Sequence, residues 1–507
     1  MRTIHHTFIA GLLALGTMAC KDFLVEEPRS FTTTDTFYKT GADLNIATVA
    51  VYSAIRGLQG FGNWPNLELA SDQARADNRE PNAGTRSGDH LDWDASTGQT
   101  GGYWGLMYGV ITRANLVLDR GPEIDSPNAQ MKTYNLAEAR FLRAYAYFFL
   151  TKVYDDVPLL LTPEEQADPR PTRTPVEQVH TAVLEDLRAA EADLPERWTS
   201  TDGFGLPTQG RVTKGAARMA LADFHLWRSS FLSKNEWQLA SDAAKRVIDS
   251  GVWSLQNDYI RTFLPANRGN SEMIFVITNT GKDARTSNPW QLFYYPRDWG
   301  IDVWGGWGLI HPTDWFYNSY QLGDYRKEAG YISGGCSGGG SCLAAFADGP
   351  MPYKYRKSDN GASWPMGDVD APLYRYAEAI LFYAEAQNEL GNTGVAITNL
   401  NLIRARARRG TGSESRSSPA DYTGPTTRLA VREAIYLERA WELAFEAKRW
   451  FDLVRRDSME PGYWMTSLRT HDPNAERLRP LSLHKKRFPI PTAQIVANPS
   501  LTQNPGY

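Results

Sequence analysis

Apolar residues recur at spacings of three and four over long stretches of this chain, with polar residues between them. The first stretch places Leu44, Ala47 and Val51 on one face of a helix that Thr34 or Asp35 would cap. Proline, glycine or a polar cluster follows each stretch, as is typical of helix ends. The pattern predicts helices over residues 35–58, 104–118, 134–153, 175–194, 212–231, 237–250, 373–390, 395–408 and 429–456.

The predicted helices come in pairs, and alanine occupies many positions where neighbouring helices would meet. These alanines include Ala216, Ala217, Ala220, Ala240, Ala243 and Ala244. Small side chains let helices approach closely, so we expect a scaffold of stacked helix hairpins of the tetratricopeptide-like type. A non-repetitive helical bundle would show much the same pattern. In both cases the predicted fold class is mainly α.

Residues 251–372 have a different character, because tryptophan is frequent there among glycines and prolines. The tryptophans are Trp253, Trp290, Trp299, Trp304, Trp307, Trp315 and Trp364. Short apolar runs such as residues 273–278 predict a few short strands. We therefore expect irregular, aromatic-rich loops between a helical part over residues 35–250 and a second one over residues 373–507.

The N-terminus has the pattern of a secretory signal peptide over residues 1–19. A basic residue, Arg2, precedes an apolar run over residues 8–18, which is too short to span a membrane. Cleavage before Cys20 would leave a cysteine at the position that bacterial lipoproteins acylate. We expect a lipid anchor at Cys20 and a tether over residues 20–34, although Thr17 departs from the usual pattern. The alternative is an ordinary signal peptide with an incidental cysteine.

The charge and the remaining cysteines exclude several classes of partner. A formal net charge of −4 gives no basic surface for nucleic acid, so no nucleic-acid partner is expected. Cys336 and Cys342 flank a glycine-rich segment, and in an oxidising compartment we expect them to form a disulfide. They lack the further ligands of a zinc site, and we predict no metal and no cofactor.

Several sequence features resemble catalytic or metal-binding groups. No zinc-protease, phosphate-loop or dinucleotide-binding motif is present in the sequence. Spacings of three and four place the C-terminal carboxylates and arginines on helix faces, where we expect ion pairs between helices rather than catalysis. These residues are Glu378, Glu385, Glu438, Arg439, Glu442 and Arg449. Asp89, Asp92 and Asp94 are calcium candidates, although they lack the full ligand series of an EF-hand.

Longer motifs resemble the SusD/RagB family of outer-membrane lipoproteins over essentially the whole mature chain. The similar segments are residues 20–24 (Cys-Lys-Asp-Phe-Leu) with Pro28, residues 211–251, 373–391, 401–404 and 438–453, and the closing segment 489–507. Ala447 stands where the family usually has glycine, and the loop with Cys336 and Cys342 is not a general family feature. The resemblance implies a SusD-like fold over residues 35–507 as a single domain.

The same resemblance implies a function. The chain would be a non-catalytic, cell-surface lipoprotein of the outer membrane that captures nutrient for a SusC-like TonB-dependent transporter. We expect the nutrient to be a glycan, because tryptophan-rich loops suit sugar rings. A peptide ligand is the alternative within the family, and a secreted glycoside hydrolase on a helical scaffold is the alternative outside it.

Loop aromatics with polar neighbours are the candidate ligand contacts. An indole covers the apolar C–H face of a sugar ring, while aspartate, asparagine and arginine bind the hydroxyls at its rim. By resemblance, ligand contacts of SusD-like proteins lie in two stretches that have this composition here. The first contributes Trp64, Asp72, Arg75, Trp93 and Asp94, and the second contributes Trp299, Trp304 and Trp307.

Overall fold

The computed structural model describes most of the chain after the N-terminal tether. The described residues are 37–60, 63–77, 79–80, 82–198, 209–281, 286–296, 306–336, 342–343, 346, 349–356, 367–410, 416–471 and 481–507. The predicted signal peptide, Cys20, Trp299 and Trp304 lie outside these ranges.

Helices dominate the described residues, which confirms the predicted mainly α fold class. They are α1 (Gly41–Ile55), α2 (Trp64–Leu69), α3 (Ala83–His90), α4 (Gly98–Arg120), α5 (Ala129–Tyr154), α6 (Pro163–Gln166), α7 (Val176–Asp193), α8 (Lys214–Phe231), α9 (Trp237–Asp249), α10 (Trp290–Tyr294), α11 (Asp314–Ser319), α12 (Tyr325–Gly330), α13 (Tyr376–Glu389), α14 (Thr393–Ala407), α15 (Arg428–Glu442), α16 (Arg449–Met459), α17 (Tyr463–His471) and α18 (Thr492–Ala497). Within these ranges no helix is both long and apolar enough to cross a bilayer.

The long helices form a continuous stack in which each packs on the next. Helix α1 packs on α4, and the contacts continue from α4 through α5, α7 and α8 to α9. Helix α9 packs on α13, which carries α14 and α15, so the two helical parts meet directly although residues 251–372 separate them in sequence. Buried alanines such as Ala216, Ala240 and Ala244 line these contacts, as the hairpin prediction requires.

Short strands pair in four two-stranded antiparallel ribbons among the described residues. The strands are β1 (Ala74–Ala76), β2 (Met273–Ile277), β3 (Ile310–Pro312), β4 (Tyr331–Ile332), β5 (Gly335–Cys336), β6 (Cys342–Leu343), β7 (Met351–Pro352) and β8 (Ala371–Arg375). The pairs are β1 with β3, β2 with β8, β4 with β7, and β5 with β6. The last pair sets the backbones of Cys336 and Cys342 directly opposite each other, at the Cα spacing that a disulfide requires.

Two predicted helix boundaries are wrong because tertiary contacts override helical periodicity. The helix predicted over 373–390 begins only at Tyr376, since residues 371–375 pair with β2 and Pro372 favours extended backbone before it. The helix predicted over 429–456 breaks between α15 and α16. Phe445 and Ala447 adopt left-handed backbone there, with φ of 59° and 54°.

The capping chemistry of α1 shows why its start also differs from the prediction. Thr40 accepts a hydrogen bond from the Asp43 amide, and the Asp43 carboxylate accepts one from the Thr40 amide. This reciprocal capping box satisfies two amides that a helix start leaves unpaired. Helix α1 therefore begins at Gly41, and the predicted cap at Thr34 or Asp35 lies outside the described residues.

Candidate functional site

The ribbon formed by β1 and β3 joins the two stretches in which ligand contacts were predicted. Arg75 pairs with His311, and the Asp77 amide donates to the Leu309 carbonyl at 3.1 Å. Side chains two residues apart on a strand share a face, so Arg75 and Asp77 lie on the face that carries His311. The ribbon thus places the middle of the first stretch beside the residues that directly follow the second.

Trp307 and Arg79 lie at the same end of this ribbon, Trp307 just before β3 and Arg79 just after β1. The Trp307 side chain is 37% exposed, and the following amides of Gly308 and Leu309 donate at 2.8 Å to the carbonyls of Tyr295 and Phe293. Arg79 is half exposed, and its guanidinium donates to both Asp77 oxygens at 3.1 and 2.9 Å. We name the set Arg75, Asp77, Arg79 and Trp307 the ribbon face. It combines a partly exposed indole with an arginine whose guanidinium is held by the buried Asp77 carboxylate.

Trp64 does not contribute to this face, which corrects its assignment as a ligand contact. It is buried in α2, with its ring 4.7 Å from that of Trp290. Its indole N–H donates to the Tyr294 hydroxyl at 3.2 Å. A side chain enclosed in this way has no face for a sugar ring, so Trp64 is a packing residue beneath the site.

Asp72 is likewise buried, and it organises the site from below instead of facing a ligand. Arg449 in α16 donates two hydrogen bonds to its carboxylate, at 2.7 and 2.8 Å. Ser467 donates at 2.7 Å, and His471 Nδ1 lies 2.9 Å from Oδ2. Burial alone would raise the pKa of Asp72, but the Arg449 guanidinium and His471 hold it well below its usual value. The carboxylate is fully buried and both of its oxygens accept hydrogen bonds from protein groups, so the ligand role is wrong.

Trp93 is also a core residue, contrary to the prediction. It is only 1% exposed, and its ring lies 4.7 Å from that of Phe488. The indole N–H donates at 2.8 Å to the hydroxyl of Tyr507, the last residue of the chain, and Lys485 donates to the Trp93 carbonyl. Trp93 therefore fastens the closing segment to the fold.

Asp94 stays exposed and ends the first stretch. Its carboxylate accepts hydrogen bonds from the amides of Ser96 and Thr97 at 2.7 and 3.0 Å. Hydrogen bonds from the Ser96 side chain and amide lower its pKa. Asp94 thus shapes the turn into α4, and its role as a ligand contact stays a prediction, as do those of Arg75, Trp307, Trp299 and Trp304.

The structure adds a pair of rings that the sequence did not indicate. Trp315 in α11 is half-buried and stacks on His471 at the end of α17, with ring centroids 3.4 Å apart and planes 6° from parallel. Trp315 belongs to the predicted loop region, but no local pattern marks His471 as its partner. Only the contact between α11 and α17 brings the two together.

The C-terminal carboxylates form a buried ion-paired block behind the site. It consists of the cations Arg326, Lys354, Arg375, Arg404 and Arg406 and the carboxylates Glu272, Asp324, Glu438, Glu442 and Glu446. Arg375 donates to Glu442 at 2.7 Å and to Glu272 at 2.8 Å. Burial would raise the pKa of Glu442, but Arg406 and Arg375 outweigh it and lower that pKa to about 2.

The remaining motif carboxylates are paired in the same way. Glu385 accepts from Arg455, and Glu378 lies 3.4 Å from Arg439 and 3.1 Å from Lys448. The ion pairs predicted for these helix-borne residues are therefore present. The calcium hypothesis for the three aspartates is not supported, since among the residues described no group of three or more His, Cys, Asp or Glu could hold a metal ion.

Two family models match the chain. One, described as "SusD family", matches residues 326–507, and one described as "Starch-binding associating with outer membrane" matches residues 22–226. The two matches together leave residues 227–325 between them.

Individual proteins are similar over nearly the whole chain. SusD-like protein P25 of Formosa agariphila is 25% identical, with 99% of each chain covered. Starch-binding protein SusD of Bacteroides thetaiotaomicron is 24% identical, covering 82% of this chain and 80% of that one. A crystal structure of a SusD superfamily protein from Parabacteroides distasonis superposes with a TM-score of 0.75 at 25% identity, covering 91% of this chain and 99% of that chain.

Proposed function

Because this chain belongs to the SusD/RagB family, we propose that it is a non-catalytic glycan-binding lipoprotein of the cell surface. It captures an oligosaccharide or polysaccharide and delivers it to a SusC-like TonB-dependent transporter in the outer membrane. In this proposal residues 1–19 are a signal peptide, Cys20 carries the lipid anchor, and residues 35–507 act as a single domain.

Glycan binding is supported by the ribbon face together with the names of the relatives. Trp307 exposes part of its indole at the end of the ribbon where the half-exposed Arg79 also lies, and an aromatic surface together with a charged hydrogen-bonding group suits a sugar ring. One matching family model and one relative are named as starch-binding. The observation that carries the proposal is the exposed Trp307 at the junction of the two predicted stretches.

The binding proposal is tested by affinity electrophoresis of the mature chain in gels that contain soluble amylopectin, laminarin, xylan or pectin. A reducing-sugar assay on the same polysaccharides runs in parallel. We expect retardation in at least one gel without release of reducing ends. Release of reducing ends would favour a glycoside hydrolase, and calorimetric binding of peptides but not of glycans would favour a peptide-binding protein.

The position of the site is tested by Trp307→Ala. Loss of an exposed aromatic anchor should weaken binding to the retarding polysaccharide about tenfold or more. Because the side chain is partly solvent-exposed, we expect the free energy of unfolding to fall by less than about 1 kcal/mol. Trp237→Ala is the matched control, since Trp237 is a half-buried tryptophan on α9, outside the ribbon. Equal affinity of the two variants would place the site elsewhere.

A further inference from the structure

The stack of Trp315 on His471 is held from both sides by one residue, Asp72. The Asp72 carbonyl accepts from the Thr313 hydroxyl at 2.8 Å, and the adjacent Gln73 carbonyl accepts from the Thr313 amide at 3.0 Å. Thr313 also caps α11, which carries Trp315. The backbone at residues 72–73 therefore fixes the start of the helix from which the indole projects.

The carboxylate of Asp72 fixes the other ring of the stack. His471 Nδ1 lies 2.9 Å from Asp72 Oδ2, and Ser467, one helical turn earlier in α17, donates to the same oxygen at 2.7 Å. Arg449 holds that carboxylate in place with two further hydrogen bonds. Asp72 thus positions both rings of the stack. Its carbonyl fixes the start of α11, which carries Trp315, and its carboxylate fixes His471.

We propose that His471 is a positioning residue, which holds Trp315 as a second aromatic platform of the ligand site, at the end of the β1–β3 ribbon opposite to Trp307. This inference rests on the proposed glycan-binding function and adds two residues to that site. Trp315 lies in α11, three residues beyond β3, and Trp307 lies three residues before β3, so the ribbon connects the platform at one end with Trp307 and Arg79 at the other.

The imidazole stacks on the indole, and because Trp315 is only partly buried, part of its side chain stays open to a sugar. In the part of the chain that the structure describes, Trp315 makes only one other ring contact, a tilted one with Phe316 at 6.0 Å between centroids. A platform that is fixed before binding does not lose side-chain freedom when the ligand arrives, which raises affinity. Without His471, the indole would have to be ordered by the ligand itself.

A double-mutant cycle on binding to the retarding polysaccharide tests this role. His471→Ala should weaken the affinity about three- to tenfold, the range expected for one aromatic pair. In a Trp315→Ala background the same change should have no further effect, because His471 acts through Trp315. His471→Phe, which keeps a planar ring, should recover part of the affinity. Additive effects of the two alanine substitutions would overturn the inference.

Fluorine NMR of the fluorotryptophan-labelled chain tests the geometry without ligand. The resonance that disappears in Trp315→Phe belongs to Trp315, and His471→Ala should shift that resonance while the other indoles stay unchanged. An unshifted Trp315 resonance would overturn the inference whatever the ligand. If the wild-type chain is retarded by no polysaccharide, the proposed function fails, while the NMR result still decides whether His471 holds Trp315.

Discussion

The ion-paired block and the ribbon face both contain arginines paired with carboxylates, but the pairs differ in burial and therefore in role. In the block, Arg375 and Glu442 are fully buried and bond to each other. On the ribbon face, Arg79 is also paired with a carboxylate, Asp77, yet half of the Arg79 side chain stays in contact with solvent. The same kind of ion pair, between an arginine and a carboxylate, is therefore structural in the block, whereas on the ribbon face its arginine is a candidate ligand contact.

The difference teaches that residue type alone does not identify a site in this protein. Buried charges are tolerated only when every partner is present, because an unpaired charge in the interior is very costly. Exposed pairs contribute little to stability and are free to exchange water for a ligand. We therefore expect substitutions in the block to reduce stability and substitutions on the ribbon face to reduce binding. Substitutions in both regions with the same effect would contradict this comparison.

The largest expected effect is in the block. Arg375→Ala would leave Glu272, Glu442 and Glu446 short of a partner, and we expect a loss of about 3–5 kcal/mol in the free energy of unfolding. Urea denaturation followed by circular dichroism measures it. The matched control is Arg246→Ala, which breaks an exposed pair with Glu191 and should cost less than about 1 kcal/mol. Equal losses would remove the distinction between the two regions.

A second large effect is expected at Trp93, which packs against the closing segment of the chain. Trp93→Ala removes a buried indole that packs on Phe488 and bonds to Tyr507, at a cost of about 3–5 kcal/mol. The melting temperatures of Trp93→Ala and Trp307→Ala compare the loss of a buried tryptophan with the loss of a partly exposed one. A Trp93→Ala chain with unchanged melting temperature and weakened glycan binding would restore Trp93 as a ligand contact.

Glu68 connects the two regions and should make stability depend on pH. Its buried carboxylate accepts hydrogen bonds from the Ala447 amide and, at 3.0 Å, from the Gln73 side chain. Burial raises its pKa from 4.5 to about 7, although these hydrogen bonds and Lys354 oppose the shift. The folded state therefore favours the neutral acid. Ionisation of Glu68 therefore lowers the free energy of unfolding. This loss of stability is absent below pH 4.5, grows as the pH rises, and is complete above pH 7.

Glu68→Gln should remove this penalty and gain about 2–3 kcal/mol over wild type in alkaline buffer. The new amide keeps an oxygen for the Ala447 N–H, and its nitrogen can donate to the Gln73 oxygen, which has no hydrogen-bond partner in the described structure. Denaturation at acidic and alkaline pH measures the difference between the two chains. A gain that is equal at both pH values would contradict the assignment to Glu68.

The smallest effect concerns the turn that separates α15 from α16. Ala447 has φ of 54°, a backbone conformation that costs an L-residue about 1–2 kcal/mol but not glycine. Ala447→Gly should therefore stabilise the chain by about 1 kcal/mol. Ala189→Gly in the middle of α7 is the control, and it should destabilise by a similar amount. A loss of stability in both variants would show that the turn tolerates alanine without strain.

Helix periodicity predicted the scaffold well because the stack buries one face of each helix. The stacked helices appear within a few residues of their predicted positions, as α5 and α9 illustrate. The errors fall where a contact from elsewhere in the chain prevails, as when β2 extends residues 371–375 or when Glu68 binds the Ala447 amide. The short helices between the long ones carry too little periodicity to be recognised.

The candidate site was predicted less completely. The two stretches are correct in that β1 and β3 bring them together, yet of the tryptophans described within them only Trp307 is exposed. Composition shows that an indole lies in a loop, but its burial depends on which helix covers that loop. The stack of Trp315 on His471 had no sequence signal at all.

The sequence by itself determined the mainly helical fold, the resemblance to the SusD/RagB family and the structural role of the helix-borne carboxylates, because these follow from local periodicity and contiguous motifs. Tertiary structure alone decided that Trp64, Asp72 and Trp93 are interior and that Trp307 is exposed. The physical reason is that burial and pairing depend on segments far apart in the chain. Asp72 meets Arg449, and Trp93 meets Tyr507, only after the last helices close over the first.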